Sequence, residues 1–300
     1  MDMWIIATLS AAFFQTLRFM LQKHLSTAGL SAGGSTFARF VFAAPVVVIL
    51  LAFYLPGRGV ALPHIGGNFL PYAVAGGAAQ ILATVCVVIL FSHRNFAVGI
   101  TFKKTEVIQT ALAGFLILGE GIAVAGLFAI LIGLIGVLVL SDMPALKGGL
   151  LRRMGNRATA LGLLSGAFFA ISAVCYRGAS LEVGSPDPLL RAGITLCAVL
   201  LFQVVALGAY LRGFERGEIT RVIYAWRVAG WVGLTSMAGS MSWFTAFTLM
   251  NAAYVNALGQ IELIFALLAS VLFFKERITA REGIGIALIS LSVLVLIAVL

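Results

Sequence analysis

Charge is what this chain has least of. Asp, Glu, Lys and Arg make up 10% of its 300 residues, against about 25% in an ordinary soluble domain. A soluble fold of this length needs far more polar surface, so that class is excluded. Cysteine is almost absent. Cys86, Cys175 and Cys197 all sit in apolar stretches, which leaves no disulfide framework and no metal-ligand spacing. The three histidines, His24, His64 and His93, fall in separate loops, and no HExxH, phosphate-binding glycine loop or serine–lysine pair accompanies them. Enzyme chemistry therefore has no carrier here, and no cofactor or metal is expected. Basic residues outnumber acidic ones by 20 to 11. They occupy short gaps between apolar runs and form no basic arm, so no nucleic-acid partner is expected. The start, MDMWIIATLSAAFF, lacks the basic region of a secretory signal and reads as a retained helix.

What is abundant is apolar sequence, at 61%. A membrane span needs roughly 20 predominantly apolar residues, and ten runs meet that ruler: 3–22, 35–54, 69–91, 97–118, 122–140, 158–179, 188–211, 228–249, 254–274 and 280–299. Their length, without ten-residue alternation, predicts helices rather than a barrel. The fold class is an all-α polytopic membrane protein. Glycines recur in the fifth span as Gly126, Gly133 and Gly136, where close helix packing is the expected use.

The two halves echo each other. SAAFFQ at Ser10–Gln15 returns as SGAFFA at Ser165–Ala170, an offset of 155, and Arg39 has a counterpart in Arg191. Glu106 pairs with Glu262, Glu120 with Glu276, Ile122 with Ile278 and Val137–Leu140 with Val293–Leu296, all at an offset of 156. The domain organisation is thus a first five-helix unit at 1–142, a basic linker at 143–157 and a second unit at 158–300. Five is odd, so the second copy enters the membrane inverted. Inverted repeats are a typical alternating-access device, with the site near the midplane between them.

These features resemble the EamA-type, ten-helix members of the drug/metabolite transporter superfamily, over essentially the full chain. Besides the two units, the resemblance rests on Arg39–Phe40 early in span two, LILGE at Leu116–Glu120, LFFKERIT at Leu272–Thr279 and Trp243–Phe244 in span eight. It implies a secondary carrier in a bacterial inner membrane that moves a small polar metabolite, an amino acid or organic anion, as exporter or exchanger. It also leaves open an exporter of drug-like or amine compounds. The family commonly places proline near the middle of spans four and nine, where this chain has Val107 and Leu263 beside Glu106 and Glu262. A channel and a purely structural membrane subunit are the rivals of a different class. Expected partners are a small-molecule substrate, protons or a counter-substrate, and membrane lipids, with the protein a monomer or weak homodimer.

Seven charges fall at least four residues into the spans: Arg18, Arg39, Lys103, Lys104, Arg191, Glu106 and Glu262. A charge in hydrocarbon costs several kcal/mol unless it is paired, snorkels or faces a wet cavity. Arg18 and Arg191 lie close enough to helix ends to snorkel. For Arg39 and Arg191 a salt bridge or helix-cap contact is expected, and all three arginines are candidates for structural or gating charges. Glu106 lies about 13 Å into its helix by the standard rise, near mid-membrane. Lys103, Lys104, Glu106 and Gln109 from span four, Trp243 from span eight, and Asn256, Gln260 and Glu262 from span nine are the candidate substrate-binding residues. Either glutamate could carry a proton. Inter-helix ion pairing competes with cavity lining for both. The charges sum to a surplus of three positive, which favours carboxylate or phosphate over a quaternary amine. Lys and Arg number thirteen after odd-numbered spans and two, Arg58 and Arg177, after even ones. That bias predicts odd loops in the cytoplasm, opposite to the family's usual orientation.

Overall fold

The computed structural model describes residues 2–27, 29–59, 61–91, 102–140, 157–265, 268 and 280–299. The expected basic linker at 143–157, apart from Arg157, the first residues of span four, the LFFKERIT motif and the end of span nine lie outside them. The described chain is helical almost throughout: α1 Met3–Thr27, α2 Ala32–Gly57, α3 Phe69–Phe91, α4 Glu106–Leu118, α5 Val124–Leu140, α6 Arg157–Leu181, α7 Pro188–Phe214, α8 Glu218–Tyr224, α9 Trp226–Leu249, α10 Ala252–Gly259 and α11 Ala280–Val299. Among the described residues five helices are long and apolar enough to cross a membrane, within α1, α2, α3, α6 and α7, and shorter apolar ones lie at α4, α5, α10 and α11. α8 is a short helix between spans that apolar counting alone does not register.

Helix ends are written locally. Ser31 caps α2 by accepting from Gly34 N–H at 2.8 Å. Asp187 Oδ1 accepts from Leu189 at 2.9 Å, ahead of Pro188 at the first helical position of α7. Gly119 ends α4 at φ +67°, a left-handed turn that a side chain would strain. Asn251 Oδ1 caps α10 through Ala253 N–H at 2.9 Å.

The bundle turns its polar groups inward and its large apolar side chains outward. Arg18, Arg39, Gln22, Gln203 and Thr84 are buried, whereas Phe53, Leu70, Phe115, Phe128 and Val205 are exposed. In water that arrangement would be unstable; facing lipid tails, exposed Leu and Phe carry no penalty, while buried polar groups find one another. α1 packs chiefly on α9, α3 on α6, and α5 on α11, with α2 between α7 and α9. The close packing expected of the fifth-span glycines is present: a Cβ on Gly133 would lie 2.6 Å from Ser292 Oγ, and one on Gly136 2.9 Å from the backbone nitrogen of Ile289. Two contacts join distant loops. Gly66 donates to Glu182 O at 2.8 Å and Gly184 to His64 O at 2.9 Å, around a bridge between Ile65 and Val183. Ser31 N–H donates to the buried Glu218 Oε1 at 2.6 Å.

Candidate functional site

Two helices are interrupted at matching places. Phe102–Lys103 are helical, 104–105 form a turn, and α4 then begins at Glu106; α10 ends at Gly259, 260–261 form a turn, and helix resumes at Glu262. The two breaks are 156 residues apart, the offset of the sequence echo. Both use tight i to i+3 bonds: Thr105 N–H to Phe102 O at 3.2 Å, Gln260 N–H to Ala257 O at 3.2 Å and Ile261 N–H to Leu258 O at 3.1 Å. Short 3₁₀ turns within helices often mark functional hinges. Discontinuous helices at mid-membrane are where carriers place their sites.

The charges sit on these breaks. Lys103 Nζ pairs with Glu106 Oε2 at 2.9 Å, three residues along one face, and Lys104 Nζ reaches across to Glu262 Oε2 at 3.3 Å. Glu262 Oε2 also accepts from Gln15 Nε2 at 2.8 Å. Gln15 Oε1 in turn accepts from Trp243 Nε1 at 3.1 Å and from Arg18 Nη2 at 3.4 Å. One amide on α1 thereby joins α9 to the break after α10. Lys103 lies 4.7 Å from the Phe169 ring centroid, a cation–π contact from α6. Breaking a buried pair by removing one partner costs about 3–5 kcal/mol, because the other charge is then stranded.

Beside this network is a small cavity of about 40 Å³, room for a few waters. Its polar lining is Gln15, Arg39, Gln80, Lys103, Glu106, Ser172, Ser240 and Asn256, and its aromatic lining is Phe169, Tyr176, Trp243, Phe244 and Phe247. Tyr176 stacks on Phe244 at 4.3 Å between centroids, so part of the aromatic wall is already self-packed. Arg39 is fixed by hydroxyls: Nε donates to Ser236 at 2.8 Å, Nη1 to Thr84 at 3.1 Å and Nη2 to Ser240 at 3.4 Å.

Of the candidates named from sequence, Lys103, Glu106, Asn256 and Trp243 line the cavity. Lys104 and Glu262 pair with each other beside that wall. Gln109 Nε2 turns to Thr105 Oγ1 at 3.2 Å and Gln260 Nε2 to Asn256 O at 3.4 Å, while Asn256 Nδ2 donates to Thr110 Oγ1 at 2.9 Å. Arg18 and Arg39 differ from expectation, whereas Arg191 makes the expected cap contact. Arg18 does not snorkel; it is 2% exposed, with its guanidinium 4.3 Å from the Phe19 ring centroid. Among the described residues Arg39 makes neither a salt bridge nor a cap contact, and it lines the cavity. Arg191 stands apart and donates to Ser180 O at 2.8 Å, a cap on the last turn of α6. Arg39 is the eighth residue of α2 and Arg191 the fourth of α7, so the echoing pair lies a turn apart and does different work.

Some of the network was not singled out from the sequence. Gln15 ended the echoed SAAFFQ motif, yet its counterpart is Ala170, and that asymmetry was the available signal. Thr84, Ser236 and Ser240 gave none, since single hydroxyls are common in apolar helices. Arg177 was counted as a loop charge. It instead clamps Glu120, its Nε donating to both carboxylate oxygens at 2.7 and 2.8 Å, and its Nη1 donates to the carbonyls of Phe247 and Met250 at 2.8 and 2.9 Å.

Residues 156–298 of the chain match the EamA-like transporter family. A curated protein of Sinorhizobium sp., an uncharacterized transporter in the cobO 3' region, is 28% identical over 134 residues, which are 45% of this chain and 92% of that one. A solved crystal structure superposes with a TM-score of 0.69 over 98% of this chain and 96% of its own, at 15% identity, a likeness of fold. The chain is accordingly an all-α polytopic membrane protein whose residues 156–298 are similar to the EamA-like transporter family.

Proposed function

We propose that the chain is a secondary carrier that moves a small polar metabolite, an amino acid or organic anion, by alternating access, as an exporter or exchanger in a bacterial inner membrane. The observation that carries this reading is the pair of matched helix breaks at 104–105 and 260–261, with Lys103–Glu106 flanking the first and Lys104–Glu262 bridging the two, beside a polar cavity. A merely structural subunit has no use for charges held at interrupted helices. Exchange of the two halves maps the main packing onto itself: α1 on α9 corresponds to α6 on α3, while α5 with α11 and α2 with α7 map onto themselves. That pattern supports ten spans arranged as an inverted repeat, with units at 1–142 and 158–300. The family match at 156–298 has nearly the bounds of the second unit.

Lys104–Glu262 is the switching cross-unit ion pair in this scheme, a pair that one conformation makes and the other releases. Cytoplasmic odd-numbered loops complete it, from the basic bias at Arg212, Arg216, Arg221 and Arg227, from the last turn of α7 to the first of α9. The test is flux in proteoliposomes. Saturable uptake with counter-exchange is expected; linear conductive flux would make the protein a channel. Glu262→Gln should abolish exchange per folded molecule, and wild-type exchange in that variant would remove the pair from the mechanism.

A further inference from the structure

Four basic side chains lie inside the bundle at 4% exposure or less: Arg18, Arg39, Lys103 and Lys104. Two carboxylates answer them, Glu106 taken by Lys103 and Glu262 by Lys104. Each lysine balances an acid. Among the described residues the two arginines have neutral hydrogen-bond partners. Arg39 has three hydroxyls. Arg18 has one long bond to Gln15 and a phenyl face, and its buried Nη1 has no hydrogen-bond partner. Glu262 is within electrostatic reach of Arg18, but its hydrogen bonds go to Lys104 and Gln15. With Arg191 outside this group, the surplus among the described residues is two.

Hydroxyls and amides supply dipoles without neutralising charge. A lysine can shed its proton when buried; a guanidinium does not. Balance must therefore come from a further group. The cavity is where it can enter: Arg39 lines it with two of its five N–H donors uncommitted, and Arg18 stands one side chain back, behind the lining Gln15. Aromatic walls keep the local dielectric low and strengthen the attraction. We infer, resting on the carrier reading above, that the cargo is a small dianion, the chemistry shared by dicarboxylates and phosphate monoesters. It brings the two negative charges that Arg18 and Arg39 lack. A cationic amine would add a third positive charge to the site, which disfavours the amine exporter.

Thermal unfolding of the purified chain with succinate, glycerol phosphate, acetate, lactate and choline at matched ionic strength tests this. Saturable stabilisation by a dianion is expected, with monoanions at least tenfold weaker and choline inactive. Response to succinate alone identifies a dicarboxylate, response to glycerol phosphate alone a phosphate ester. Arg39→Gln should remove the response, and Arg39→Lys, which keeps the charge, should retain most of it; Arg18→Gln reports independently where Arg39→Gln does not fold. Equal stabilisation by monoanions, stabilisation by choline, or no response to either dianion at millimolar concentration overturns the inference. The two proposals fail differently. Dianion binding without counter-exchange in liposomes would sink the carrier and leave the charge balance standing, whereas exchange of a neutral or monoanionic cargo would do the reverse.

Discussion

Glu120→Gln is the most direct probe of how the bundle is held at one end. The wild-type carboxylate receives Arg177 Nε on both oxygens, and Arg177 continues to two carbonyls at the end of α9, so one side chain ties α6, the turn after α4 and the α9 corner. Gln keeps one oxygen acceptor and loses the charge. Removing a partner costs about 3–5 kcal/mol in a fully buried pair and about 0–1 kcal/mol in an exposed one. The side chains are 14% and 21% exposed, so about 2 kcal/mol is expected. For a chain of this size that is a Tm lower by about 4 °C. Arg177→Ala also strands two carbonyls and should lose about 4 kcal/mol, or about 8 °C. Thermal unfolding in detergent, followed by tryptophan fluorescence, reads both. The double variant should lose much less than the sum, because the two share one interaction. Tm values within about 1 °C of wild type for both single variants would refute the clamp.

The helix pair α5–α11 supplies a second prediction: Gly136→Ala meets backbone at Ile289 and should cost about 1–3 kcal/mol. Gly133→Ala meets the Ser292 hydroxyl, which donates to Ala129 O at 2.7 Å, so adding Ser292→Gly should restore much of its loss. Asp187 makes a third. Burial pushes its carboxyl up, but the Tyr54 hydroxyl, the amides of Leu189 and Leu190 and the Arg58 guanidinium outweigh it and hold the group below its ordinary value. Its contribution is full above about pH 4 and lost as the pH falls through the lowered value. The Tm gap between wild type and Asp187→Asn should therefore close on acidification, and a constant gap would count against it. Fourth, single cysteines at Ala145 and Gly184 should label differently with an impermeant maleimide in intact cells, Gly184 alone reacting; reaction at Ala145 alone would reverse the orientation.

Periodicity of composition told most of the fold in advance. The expected bounds of spans one to three, six to eight and ten meet the helices to within a few residues, because hydrocarbon imposes a length on every apolar run. The interrupted helices were not legible, since Thr105 and Ile261 are ordinary residues and the proline that would announce a break is absent. Of the site, the mid-membrane Lys and Glu stood out because charge is so rare there. Gln15 and the hydroxyls around Arg39 did not, for neutral polar residues are tolerated on any helix face. Arg177 was hidden by its place near the end of a span, where a snorkelling residue and a buried clamp look alike.

The two long-range loop contacts also carry a topological consequence. A chain that leaves Ile65 and returns to pair with Val183 must re-emerge on the face it left, so it crosses the membrane an even number of times between them. Ser31 and Glu218 set the same condition over a longer stretch. Parity of this kind owes nothing to charge counting or hydropathy. It also gathers the ends of the chain's spans into two sets: Ser31 with the arginine-rich segment around α8, and Ile65 with the acidic turn at Glu182 and Asp187. With α2 spanning between Ser31 and Ile65, those sets lie on opposite faces. Among the described residues the arginine-rich segment and the turn holding Glu182 and Asp187 therefore stand at opposite ends of α2.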